Sequence, residues 1–206
     1  MRGAGESVVF VVDDVAGDRD SLVSMLRGAG LTSRAYPDAA SFLARLDPNA
    51  VGCVVAEAHM AQMGAVALIE TLRRRGCLMP VIVSSGRGDV MLAVRAMKAG
   101  AAEFVQKPLD AALVVGAVRG CLDQAQALNE RARWREDVSR RTHRLTLRER
   151  QVLSGVVDGR TNKEIGLALG ISSRTVEIHR ANLMLKMQAE GLSDLVRMVA
   201  LTDLAA

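Results

Sequence analysis

Aromatic residues are nearly missing from this chain: one Trp, one Tyr and three Phe make up 2% of its 206 residues. Proteins that hold single-stranded nucleic acid stack the bases on aromatic rings, so a stacking platform of that kind is excluded. Cysteine is also sparse. Cys53, Cys77 and Cys121 stand far apart with no Cys-x-x-Cys spacing, which argues against a zinc site or a disulfide framework and fits a reducing compartment. No run approaches the roughly 18 apolar residues that cross a bilayer, and the N-terminus shows no signal-peptide pattern. A cytoplasmic protein without a membrane partner is expected.

Half of the residues are hydrophobic and 24% are charged, so Ala, Val, Leu and ten Met must build the core, and the length suits two domains of ordinary size. The net charge of +4 points to a polyanionic partner, but its location matters more than its size. Residues 131–150 carry eight Arg against three acidic residues, whereas 151–206 balance six basic against six acidic. The basic excess is therefore a junction feature, read as a solvated helix and linker over residues 125–143 between domains at 1–124 and 144–206.

Short apolar runs recur at Val8–Val12, Thr32–Tyr36, Cys53–Ala56, Val81–Val83 and Glu103–Gln106, each followed by a helical pattern. Strands that are apolar throughout bury both faces, so five such units predict an α/β fold, a doubly wound (βα)5 parallel sheet covered by helices on both sides. Gly28, Gly30, Gly76 and Gly100 fall where those helices should stop. Beyond Asp110 the chain reads as helix alone. Thr146-Leu147-Arg148-Glu149 and Thr161-Asn162-Lys163-Glu164 each match a capping box and should start two helices. Gly170 ends the second, Ser172 or Ser173 opens a third reaching about Met187, and a fourth runs from Ser193 to about Leu204. The tight Leu169-Gly170-Ile171-Ser172 connection gives an all-α, four-helix domain with a helix-turn-helix.

Ligands of doubly wound sheets gather at the carboxyl ends of the strands. Asp13 and Asp14 follow the first strand, Glu57 the third, Ser84 and Ser85 the fourth, and Lys107-Pro108 the fifth. Three carboxylates in one crevice call for a hard divalent cation, with Mg²⁺ expected on Asp13, Asp14 and Glu57, while a hydroxyl and an ammonium beside them suit a phosphoryl group. His59 reads as a solvent-facing loop residue and Cys53 as core filler. The Gly86-x-Gly88 pair lacks the third glycine of a nucleotide loop.

Through Val11-Val12-Asp13-Asp14, Ser85-Gly86-Arg87-Gly88-Asp89, Ala96-Met97-Lys98-Ala99-Gly100-Ala101 and Phe104-Val105-Gln106-Lys107-Pro108, residues 7–124 resemble the receiver domain of bacterial two-component response regulators. The resemblance implies Mg²⁺ on the acidic pair, a phosphoryl group gripped by Ser85 and Lys107, a cis Lys107–Pro108 bond, and Phe104 as an aromatic that switches rotamer. It also implies a sensor histidine kinase as partner and a homodimer through about residues 89–122. One position departs from the family. Where the acceptor aspartate is expected, the chain reads Ala56-Glu57-Ala58, and a glutamate reaches about 1.5 Å further by one bond length. Misplacement by about 1 Å costs about 100-fold in an aligned transfer, so ordinary phosphorylation is disfavoured. The longer carboxylate then either contacts Lys107 or Ser85 and stands in for the charged form, with one charge against about two for a phosphate, or merely fills a pocket that no longer switches.

Residues 145–206 resemble the LuxR-type DNA-binding domain of NarL/FixJ response regulators. The match runs through Leu145-Thr146-x-Arg148-Glu149, Gly159-x-x-Asn162-Lys163-Glu164-Ile165 and Thr175-Val176-x-x-His179-x-x-Asn182-Leu183-x-x-Lys186-Met187. Val176, Leu183 and Met187 recur at helical spacing and should face the core, leaving Arg174, Thr175, Ile178, Ala181 and Asn182 outward with Glu177 and Arg180 flanking. Such a face enters a major groove of double-stranded DNA. Lys163, Arg174, His179 and Lys186 are expected on phosphates, Glu177 on a cytosine amine and Ile178 on a thymine methyl. The expectation is a DNA-binding transcription regulator, not an enzyme. The neutral helix-turn-helix leaves open a pseudo-receiver interaction module that binds a kinase or another regulator and uses DNA weakly.

Overall fold

A computed structural model describes residues 7–88 and 90–200, and the chain divides into two compact units, Met1–Asn129 and Glu130–Ala206. In the first unit, strands β1 (Val8–Val12), β2 (Ser33–Tyr36), β3 (Gly52–Glu57), β4 (Val81–Ser85) and β5 (Glu103–Gln106) alternate with helices α1 (Ala16–Gly28), α2 (Ala39–Arg45), α3 (Ala65–Arg74), α4 (Val90–Ala99) and the first part of α5 (Ala111–His143). Every neighbouring pair is parallel, in the order β2-β1-β3-β4-β5. The expected doubly wound sheet is thus the fold of this unit.

The period of a strand decides what each face meets. Phe10 and Val12 of β1, with Val54 and Ala56 of β3, pack on Phe42 of α2, Leu68 and Leu72 of α3 and Ala96 of α4. Val9 and Val11, with Cys53 and Val55, face the other way onto Leu22 and Leu26 of α1 and Val114 and Val118 of α5. The central strands β3 and β4 are buried along their whole length and the edge strands are not. Three of the few aromatics, Phe10, Tyr36 and Phe42, form one cluster with ring centroids 5.4–6.4 Å apart. Cys53 is fully buried, as expected of filler, and burial pushes its thiol well above its ordinary pKa.

Two strand ends differ from the expectation. β3 includes Glu57 and β4 includes Ser84 and Ser85, because the parallel ladder continues through Glu57↔Ser84 and Ser85↔Gln106. Polarity in the sequence marks the end of each strand, and in the structure these polar residues are its last rungs. Gly64, the N-cap of α3, sits where an added Cβ would lie 2.3 Å from the Ala58 carbonyl oxygen, so the loop after β3 closes tightly above the strand end.

In the second unit the end of α5 joins α6 (Leu147–Val157), α7 (Asn162–Leu169), α8 (Ser173–Met187) and α9 (Leu192–Ala200). Both expected capping boxes are formed, with Thr146 and Glu149 at α6 and Thr161 and Glu164 at α7. Gly170 takes the left-handed φ of 68° that ends α7, and Ser172 caps α8 by accepting from the Thr175 N–H at 3.0 Å. The fourth helix starts at Leu192 rather than Ser193, and Leu204 lies outside the described residues. Residues 125–143, expected as a solvated helical linker, are helical as the continuation of α5. Their inner side is not solvated: Val138 and Thr142 are buried and Trp134 packs on the core built from Val152, Ile165, Val176, Leu183, Met187 and Leu195.

Candidate functional site

The pocket at the strand ends is organised around Lys107. Its backbone N–H donates to the Ser85 carbonyl at 2.8 Å, and the Lys107–Pro108 peptide is cis. Its Nζ lies 2.8 Å from Asp13 Oδ2 and 2.7 Å from Glu57 Oε2, and both acids are buried, at 3% and 7% exposure. It also lies 2.6 Å from Asp18 Oδ2 in the first turn of α1. Burial pushes the Lys107 ammonium toward losing its proton, and the bonds to Asp13, Asp18 and Glu57 outweigh this and hold its pKa above the ordinary lysine value.

The remaining contacts fix the acids in place. Asp13 Oδ1 accepts from the Val15 N–H at 2.9 Å, and the Asp13 carbonyl accepts from Arg19 at 2.8 Å. Glu57 Oε1 accepts from the His59 N–H at 3.2 Å; its buried Oε2 meets Lys107 as an ion pair and accepts no aligned hydrogen bond. Of the two partners expected for Glu57, Lys107 is the one it meets. Ser85 is fully buried and its Oγ is engaged by the following loop, donating to the Arg87 carbonyl at 3.1 Å and accepting from the Arg87 N–H at 3.2 Å. Phe104 is half-buried against the α2–α4 face of the sheet. His59 is exposed, as expected.

The set expected to hold Mg²⁺ does not come together. Asp14 is exposed, Asp13 and Glu57 turn to Lys107, and among the described residues no three acidic, His or Cys side chains are grouped to hold a metal ion. The Lys107 ammonium supplies the positive charge that the crowded carboxylates require. In this arrangement the donors do not fit a hard divalent cation.

In the second unit, α7 and α8 meet at a turn with no room for a side chain at Gly166, where an added Cβ would lie 2.7 Å from the Ile171 carbonyl oxygen. Val176, Leu183 and Met187 are fully buried, as their spacing predicted. Arg174, Glu177, Ile178, Ala181 and Asn182 are exposed along the opposite side of α8, with Thr175, His179 and Arg180 half-buried at its margins. Lys163 is exposed on α7. Arg174 pairs with Glu177 at 3.1 Å, and Arg180 donates to Asn162 Oδ1 at 2.8 Å, tying α8 to α7. Lys186, expected on a DNA phosphate, is half-buried and paired within the unit. Its Nζ lies 2.7 Å from Oε2 of Glu149, the capping-box acid of α6, which is 3% exposed.

A Lys-centred acidic pocket at the strand ends of a (βα)5 unit, followed in one chain by a helix-turn-helix with a clear outer face, defines a DNA-binding response regulator. The comparisons agree. The chain matches the response regulator receiver domain over residues 9–119 and the luxR family of bacterial regulatory proteins over residues 143–199. It is 44% identical to the transcriptional regulatory protein FixJ of Azorhizobium caulinodans, covering 96% of this chain and 93% of that one. It is 40% identical to FixJ of Rhizobium meliloti, over 92% and 93%. Among solved structures, response regulator StyR superposes with a TM-score of 0.86 at 34% identity, over 95% of this chain and 99% of that one. Full-length FixJ from B. japonicum gives 0.58 at 35% identity, over 97% and 98%. The chain belongs to the FixJ-type two-component response regulators with a LuxR-type DNA-binding domain. No helix among the described residues is long and apolar enough to cross a membrane.

Proposed function

We propose that this regulator binds double-stranded DNA without being phosphorylated, with Glu57 standing in the acceptor's place and holding Lys107 as a phosphoryl group would. The observation that carries the reading is the 2.7 Å contact between Glu57 Oε2 and Lys107 Nζ. A carboxylate already on the ammonium supplies, at one charge, the interaction that an added phosphate would make. A sensor histidine kinase is then a docking partner rather than a phosphoryl donor. The reading assigns Mg²⁺ no step.

The DNA-reading face is the outer side of α8. Arg174 and His179, with Lys163 on α7, meet phosphates; Thr175, Glu177, Ile178 and Asn182 face base edges, and Arg180 fixes the angle between α7 and α8. Since residues 151–206 carry no net charge, one copy has little electrostatic affinity to spare. A homodimer through about residues 89–122, where α4 exposes Val90, Met91, Val94 and Met97, would join two copies on adjacent half-sites. Asp89 itself lies outside the described residues.

The test uses the full chain and a duplex selected by it from random sequence. Affinity is expected to stay within about twofold when acetyl phosphate and Mg²⁺ are added, and Glu57→Ala, which takes the stand-in carboxylate off Lys107, to weaken binding about threefold or more. A gain of tenfold or more with the phosphodonor, accompanied by label on the protein, overturns the reading; an unchanged Glu57→Ala leaves the pocket as inert filler. A further expectation concerns salt. Lys163→Ala reduces the slope of log affinity against log salt concentration by about 1, with little change in sequence preference.

A further inference from the structure

A lysine ammonium has three N–H donors and no more. Lys107 Nζ meets three carboxylates at 2.6–2.8 Å, one from the end of β1, one from the first turn of α1 and one from the end of β3. Asp13 and Glu57 are buried members of the pocket floor. Asp18 is different: its side chain is 46% exposed on α1, and neither composition nor spacing singled it out, yet it makes the shortest of the three contacts. It touches no group that would carry a phosphoryl, so whatever it does it does through Lys107.

We infer that Asp18 is a latch, a positioning residue that holds Lys107 from α1, so that even when Glu57 lets go two of the three ammonium donors stay engaged, by Asp13 and Asp18, and the ammonium is not free to swing onto a phosphoryl oxygen. The inference deepens the reading above and rests on it for the pocket's role. With Asp13, Asp18 and Glu57 on one ammonium, the crevice also keeps an excess of negative charge toward any incoming anionic donor. The raised proton affinity of Lys107 is consistent with all three contacts being made at once.

The test is made on the full chain. Limited acylation with an N-hydroxysuccinimide ester, followed at Lys107 by peptide mass spectrometry, is expected to run about threefold faster or more in Asp18→Asn than in the native protein. Asp20→Asn removes the same charge from the exposed side of the same helix, makes none of the Lys107 contacts, and is expected to leave the rate unchanged. An unchanged rate in Asp18→Asn, or an equal rise in Asp20→Asn, overturns the latch. A second comparison uses acetyl phosphate: Glu57→Asp/Asp18→Asn should take label about threefold faster or more than Glu57→Asp alone, and equal labelling also overturns it. Label on the native chain would count against the reading of Glu57 alone, because the acylation comparison does not depend on phosphorylation.

Discussion

Glu149→Ala is expected to destabilise the C-terminal unit by about 2–3 kcal/mol, from the lost capping box at about 1 kcal/mol and the lost charge-assisted bond to Lys186. The carboxylate serves both ends of that arrangement: Oε2 accepts from the Thr146 N–H and from Lys186 Nζ, each at 2.7 Å. Removing it frays the start of α6 and frees the last turn of α8 together, so DNA binding falls with stability. Trp134, the only tryptophan, packs on this core, so urea unfolding followed by its fluorescence reads the unit directly. Glu149→Gln retains the capping geometry and is expected to lose less, about 1 kcal/mol. A midpoint unchanged in Glu149→Ala contradicts the assignment.

The pair also sets an acid limb. Burial pushes the Glu149 carboxyl up, and the bonds from Lys186 and Thr146 outweigh it and hold its pKa below the ordinary carboxylate value. Because the folded pKa is the lower one, the unfolded chain takes the proton first. The contribution is whole above the ordinary carboxylate pKa and is lost as pH falls through the depressed folded value. Glu149→Gln should flatten that part of the profile.

Leu183→Ala is expected to have the larger effect, about 3 kcal/mol within the usual 2–5 for a buried leucine. Leu183 is fully buried at the centre of α8, one turn from Met187 and two from Val176, and packs in the core beneath the reading face. Its loss leaves a void under the helix whose outer face is proposed to read DNA. The Trp134 transition should move to lower urea and affinity for the selected duplex should drop by more than the Ile178→Ala change on the outer face. Leu183→Met, which conserves volume, should cost less than about 1.5 kcal/mol.

What was legible in the sequence shares one physical property: it is local. The apolar runs of β1, β3 and β4 declared a buried parallel sheet because such strands have almost no wet face, and two Thr-x-x-Glu boxes declared helix starts because cap and partner lie three residues apart. Val176, Leu183 and Met187 were readable for the same reason, from one helix's period. The misreadings are long-range. Lys186 pairs with Glu149, 37 residues away on another helix, and Asp18 with Lys107, 89 residues distant, and no local pattern announces either pair. Glu57 and Ser85 were placed beyond their strands because polarity marks a strand end in sequence, whereas the ladder carries on until the neighbouring strand runs out. The linker was judged from its arginines, although a helix shows one face to water and another to a core, and Val138 sits on the second.

The threefold hold on Lys107 makes the pocket tolerant of single losses. A lysine held by one carboxylate is released by any mutation that removes it; a lysine held by three tolerates the loss of one and stays in place. A single acid-to-amide change at Asp13, Asp18 or Glu57 therefore leaves two carboxylates on the ammonium, so the arrangement fails by accumulation of changes and not at one step.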